Sequence, residues 1–238
     1  MVANVSVKRL NYRRMSLSRD IATSEATEPM SKPNIAVVRD RPATERRLIH
    51  AVEKLLARGG FGVLGPSAVA REAGVDKMLI YRYFGNLDGL VSAVAKSPEL
   101  FISMEEICAG DIASMRALPL PERAAAVARN YARALIERPV VLAMMAWETV
   151  ERNKLTAIIE TAREEASIQI ADQLFPEIAA RPEIGGAMAL IGAAINYLAM
   201  RQRKIRIYSG VNIRTDEGWQ QLLDAIQIMM KSFAVKTD

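Results

Sequence analysis

Gly65-Pro66-Ser67-Ala68-Val69-Ala70-Arg71-Glu72-Ala73-Gly74-Val75, running on into Asp76-Lys77-Met78-Leu79-Ile80-Tyr81-Arg82-Tyr83-Phe84, is the stretch on which the fold turns. Pro66 suits the first turn of a helix, because its missing N–H would have no partner there. Val69, Ala70 and Ala73 give that helix a small apolar face suited to close packing. Gly74 supplies a left-handed turn, Val75 plugs the space between two helices, and Asp76 can cap a helix over Lys77–Phe84. Two short helices about a glycine turn form a helix-turn-helix, the unit whose second helix enters the DNA major groove.

In that second helix, Ile80, Phe84 and Tyr83 turn inward or line the edge. Lys77, Met78, Leu79, Tyr81 and Arg82 then face outward. Met78 and Leu79 are odd on a solvated surface but suit thymine methyls. Arg82 or Lys77 can reach guanine or phosphate, and Tyr81 a phosphate oxygen. A plain helical hairpin with Met78 and Leu79 in its core remains the alternative.

Working outward, Leu48, Val52, Leu55 and Leu56 mark one face of a preceding helix, which Gly59-Gly60 ends. Beyond residue 98, apolar positions recur at helical spacing over 100–117, 121–136, 140–175, 184–207 and 217–234, punctuated by Pro119, Pro121, Pro139, Pro176 and Pro182. Alternating strand-like runs are absent. The expected fold is all-α: a helix-turn-helix DNA-binding domain over 42–95 and a larger helical domain over 96–238.

The 238 residues carry a net charge of +5, unevenly spread. Residues 1–41 hold eight Lys/Arg against four Asp/Glu, residues 42–98 eight against five, and residues 99–238 sixteen against eighteen. The basic excess therefore lies in the helix-turn-helix region and the segment ahead of it, as expected of a nucleic-acid-binding end. Residues 1–41 lack periodicity and read as a disordered basic arm, with Lys8, Arg9, Arg13, Arg14 and Arg19 able to touch phosphates. A passive tail, or translation starting at Met15 or Met30, is the competing reading.

Composition removes other classes. One cysteine, Cys108, and one histidine, His50, leave no disulfide framework, no Cys/His zinc set and no histidine-based hydrolase machinery. No phosphate loop or paired-carboxylate motif appears, so neither enzyme activity nor a cofactor is expected. The longest weakly polar run, Gly185 to Met200, is short of a membrane span and contains Asn196. With no signal-like run, a cytoplasmic protein with no membrane partner is expected.

In the larger part, Met144, Met145, Trp147 and Glu148 form a dense apolar segment with one carboxylate. Arg152, Tyr131 and Asn196 are further polar candidates for lining a pocket for an unknown small-molecule effector. Such a stripe serves equally well as core. Gly185, Ala189 and Ala193 form a small-residue stripe that permits close helix approach, and Leu222, Ile226 and Met229 belong to an amphipathic final helix. Either pairing between subunits or packing within one chain would use that stripe. The cluster Arg201, Arg203, Lys204 and Arg206 reads as a solvated helix end.

The run Ala70–Phe84, followed by Asn86, Asp88 and Leu90 and preceded by Phe61, resembles the DNA-binding domain of TetR/AcrR-family transcriptional regulators. The resemblance covers residues 43–95. It implies a homodimer, with a three-helix reading head, a connecting fourth helix and, over 96–238, an effector-binding and dimerisation domain in each subunit. The last two long helices would form a four-helix bundle across a two-fold axis, presenting two heads to a palindromic operator in double-stranded DNA. Pro66 and Ser67 would approach the DNA backbone, and Lys77, Met78, Leu79, Tyr81, Arg82 and Tyr83 would face DNA. Gly65-Pro66 replaces the usual hydroxylic cap, Met78 and Leu79 replace small residues, and Leu87 replaces a common Lys. The implied function is sequence-specific regulation, as a repressor released by an effector. Control by a protein partner, control without a ligand, and a helical carrier or enzyme retaining the fold remain alternatives.

Overall fold

A computed structural model describes residues 40–98 and 100–234. The predicted basic arm lies outside the described residues, apart from Asp40 and Arg41. Helix α1 (Arg41–Gly59) starts inside the span assigned to the arm, because the Asp40 carboxylate accepts the Ala43 N–H at 3.2 Å and Pro42 occupies the first turn. Its apolar face buries Leu48, Ala51, Val52, Leu55 and Leu56. At Gly60 the chain leaves the helix with φ +70° and ψ −163°, a conformation essentially reserved for glycine. A 3₁₀ turn, Phe61–Val63, then buries Phe61.

Helix α2 (Pro66–Ala73) turns Val69, Ala70 and Ala73 inward and ends at Gly74, whose φ of +63° lies in the left-handed region. The Gly74 N–H meets the Ala70 and Arg71 carbonyls, and Arg47 from α1 donates to the Ala73 and Gly74 carbonyls at 2.6 and 2.9 Å. The carbonyl groups at the end of α2 are therefore satisfied from two sides. Helix α3 (Met78–Phe84) begins one residue later than its sequence suggests, with the Asp76 carboxylate accepting from Met78 N at 2.8 Å. Helix α4 (Leu87–Ala95) is capped by Asn86. Val69, Ile80, Leu90, Val91 and Val94 join α1 in one core and are all fully inaccessible. Burial of each such side chain is worth about 1.5–3 kcal/mol.

The remaining helices are α5 (Met104–Ile107), α6 (Ile112–Ala117), α7 (Leu120–Ile136), α8 (Pro139–Glu148), α9 (Lys154–Leu174), α10 (Pro182–Arg201) and α11 (Asp216–Lys231). Helix α7 is central, packed against α11 and α10. Three runs expected to be continuous are interrupted. The run over 100–117 breaks at Ala109 and Gly110, both at positive φ, between helices capped by Ser103 and Asp111. The run over 140–175 breaks before Asn153, whose side chain accepts from Leu155 N and Thr156 N to open α9. The run over 184–207 stops at Arg201. A short antiparallel ribbon, β1 (Ile207–Tyr208) with β2 (Val211–Asn212), follows, its turn made by Ser209 (φ +46°) and Gly210 (φ +85°).

Helix α10 also corrects a length estimate. It extends three residues ahead of Gly185, and its 20 residues are long and apolar enough to cross a membrane by length and composition. Its Ile184, Ile191, Ile195 and Leu198 nevertheless pack into the body core, as in a bundle helix.

Helix α4 packs against α9 and α1 against α8, so head and body share a seam. Met144 of α8 and Ile159 of α9 are members of the head core, not of the body core. Lys154 at the start of α9 pairs with Asp88 of α4 across the same seam.

Candidate nucleic-acid interface and effector pocket

The outward surface of α3 combines apolar and donor groups. Lys77, Met78, Tyr81 and Arg82 are exposed, Met78 at 61% and Tyr81 at 45%. Ile80 anchors the opposite side at 0% exposure, which fixes the rotation of the helix. Leu79 and Tyr83, both expected toward DNA, are half-buried and pack against the head core. The Tyr83 ring is covered by the Arg41 guanidinium, 5.1 Å from its centroid. Ser67 is exposed and Pro66 half-buried at the start of α2. The half-buried Leu79 contradicts neither a groove contact nor an anchoring role; its neighbours Met78 and Arg82 are the side chains standing free.

The second site is a cavity of about 70 Å³ in the body, reached by Ile102, Tyr131, Leu135, Met144, Arg163 and Ile170. Ala95 at the end of α4 and Ile159 also border it, so it adjoins the head core. Tyr131 donates to the Asn196 side-chain oxygen at 2.7 Å. Burial pushes the Tyr131 hydroxyl above its ordinary pKa, with Arg163 and the Asn196 bond pulling it partly back. Tyr131 and Met144 thus reach the cavity, and Asn196 stands behind Tyr131.

The other predicted pocket residues lie elsewhere. Met145 is in the body core, and Trp147 packs toward the head, its indole occupying the space a side chain on Gly60 would need. Arg152 is exposed and paired with Glu160. Glu148 is held by Arg163 of α9, whose Nη2 donates to both carboxylate oxygens at 2.7 Å. Burial pushes Glu148 above its ordinary pKa, and Arg163 pulls it only part of the way back. The pocket's cationic group is therefore Arg163, which sequence reading missed. Fifteen residues and a helix break separate it from Glu148, and local spacing in the sequence carries no signal for the pairing.

The small-residue stripe divides between two faces. Ala189 and Ala193 are exposed, beside Leu190 at 75% and Tyr197 at 44% exposure. Met229 and Ile228 of α11 are exposed at 55% and 65%. Gly185 instead faces Ile178 of its own chain, Leu222 is half-buried, and Ile226 is buried in the body core. Helix α11 packs its Ile226 side onto α7, leaving the Ile228–Met229 side outward. Among the described residues, no group of three His, Cys, Asp or Glu side chains could hold a metal ion.

Residues 48–94 match the sequence model of the bacterial regulatory proteins of the tetR family. No curated protein matches the chain. Among solved structures, a TetR-family transcription regulator from Marinobacter aquaeolei VT8 is similar at 14% identity and a TM-score of 0.56, over 79% of this chain and 95% of that one. The fatty acid degradation regulator FadR from Bacillus halodurans is 15% identical with a TM-score of 0.55, over 79% and 94% of the two chains. FadR from Bacillus subtilis, solved in complex with stearoyl-CoA, is 17% identical with a TM-score of 0.51, over 78% and 96%. Residues 48–94 thus carry the sequence pattern of the tetR-family regulatory proteins, and the chain as a whole is similar in fold to solved TetR-family regulators.

Proposed function

We propose that this regulator binds operator DNA as a homodimer and is a repressor released by a small-molecule effector. The observation that carries the reading is α3: a helix pinned by Ile80 whose free surface presents Lys77, Met78, Tyr81 and Arg82 together. Phosphate contacts from Lys77 and Tyr81 would set register, while Arg82 and Met78 read base edges. Pro66 and Ser67 approach the backbone. Leu79 and Tyr83 set the height of α3 over the head core more than they read sequence.

The outward α10 and α11 face, Ala189, Leu190, Ala193, Ile228 and Met229, supports pairing of two copies about a two-fold axis. Two heads so related suit a palindromic operator. Effector control is supported by the position of the cavity, bordered by Met144 and Ile159, which also belong to the head core. A ligand there changes DNA affinity only through different affinities for the DNA-competent and DNA-incompetent head arrangements.

Footprinting and gel shifts on the DNA upstream of the protein's own gene, at several salt concentrations, test the reading. Saturable protection of an inverted repeat is expected, with affinity falling as salt rises. Binding that is equal on all sequences would sink it.

A further inference from the structure

Arg163 spends one nitrogen on Glu148. Its Nη2 makes both bonds to that carboxylate, and its Nε and Nη1 meet no partner among the described residues. The guanidinium carries five donors in a plane; each of its two-donor edges includes the engaged Nη2, so Nε–H and Nη1–H each offer a single charged hydrogen bond, which a carboxylate oxygen accepts. The side chain is 32% exposed while Glu148 is 6% exposed, so Arg163, and not Glu148, is the accessible member of the pair. Arg163 lines the cavity with Tyr131 and Ser167 as its other polar groups, against apolar walls from Ile102, Leu135 and Ile170. The volume of about 70 Å³ corresponds to roughly five water-sized spheres. That space suits a short or singly aromatic body.

Resting on the effector reading above, we propose that the pocket takes a compact amphiphilic anion, a short-chain or single-ring carboxylate, with its carboxylate accepting from a free donor of Arg163 and its apolar body between α7 and α9. Such a ligand competes with Glu148 for one positive charge. Glu148 is the last residue of α8, next to Trp147, which lies against Gly60, and one turn beyond Met144 of the head core. Weakening the Arg163–Glu148 bond therefore loosens the end of the helix that supports the head.

Titration calorimetry and thermal shift with benzoate and butanoate, each against its neutral amide, test this on the full chain. Both carboxylates, or the one of fitting shape, should bind and raise the melting temperature where the amides do not. Arg163→Gln should weaken carboxylate binding about tenfold or more, the worth of one charged hydrogen bond. Glu148→Gln should tighten it several-fold, which a merely structural arginine would not do. The double variant Glu148→Gln/Arg163→Gln leaves no lone buried charge and separates lost binding from lost folding. Amides binding as well as carboxylates, undiminished binding by Arg163→Gln, or no carboxylate binding at millimolar concentration would each overturn the proposal. Arg163-dependent carboxylate binding that leaves operator affinity unchanged would uphold the anion site and reject only effector control.

Discussion

Two surfaces of this molecule expose large apolar side chains, and they do so with different neighbours. On α3, Met78 and Tyr81 are flanked by Lys77 and Arg82, so every apolar group has a donor within a helical turn. On α10 and α11, Leu190 stands between Ala189 and Ala193, while Ile228 and Met229 have one charge of each sign, Asp224 and Lys231, at their edge and acidic Glu217 farther off. The first composition suits a partner offering methyls, acceptors and phosphates in alternation. The second suits a partner as apolar as itself, and offers a polyanion no net positive charge. Exposure alone would make both surfaces sticky; the charges around them divide their partners.

The largest effect should come from attacking the second surface. Leu190→Glu with Ile228→Glu should turn the dimer into monomers in analytical ultracentrifugation. Operator affinity should then fall by about 100-fold or more, because two linked heads bind far more tightly than one. A variant that stays dimeric would show that the pairing surface lies elsewhere.

Next in size is the seam. Gly60→Ala combines a positive φ with a Cβ only 2.6 Å from the Trp147 ring. A loss of about 1–3 kcal/mol is expected from the backbone alone, read by urea denaturation. Adding Trp147→Ala should recover the steric part but not the backbone part.

On the first surface, Arg82→Ala should cost about 1–3 kcal/mol on the operator if it reads a base, and should relax specificity at one position. An equal loss on unrelated DNA would make Arg82 a phosphate contact. Tyr81→Phe should cost less, about 0.5–1.5 kcal/mol, the worth of one hydrogen bond. An unchanged salt slope is then expected, because no charge is removed.

The smallest effect concerns pH. Glu148 holds its proton more tightly folded than unfolded, so the stability it contributes is present at low pH. That contribution is lost as pH rises from the ordinary carboxylate value through its raised one. Across that window Glu148→Gln should gain stability relative to the parent protein in thermal melts. Parallel curves for the two proteins would contradict the burial argument.

The same contrast explains what could be read from the chain. The head is built from local signals: Pro66 at a helix start, Gly74 at a left-handed turn, Asp76 at a cap, Ile80 on the inner side. Each acts within a few residues, so sequence spacing carries it. The body depends on pairings across long separations. Glu148 of α8 with Arg163 of α9, and Tyr131 of α7 with Asn196 of α10, form only once the chain has folded back on itself. The break at Asn153 lies in a mostly polar run from Glu148 to Lys154, a signal outweighed by the apolar helical spacing on either side. The ribbon at Ser209-Gly210 carried a turn dipeptide between β-forming residues, a signal outweighed by the helical pattern around it. For the small-residue stripe, composition named the face but not its rotation. Ala189 and Ala193 point outward while Ile226 points in, a choice made by α7.

Met144 and Ile159 complete the core of the head although they belong to helices far along the chain. Anyone grafting this head onto another body would meet that fact at once. A fragment cut after Ala95 would carry a hollow where two side chains had been, and a chimera would inherit whatever its new body placed there. The portable unit is the head together with its two lodgers, and a successful transplant must bring residues matching both in size.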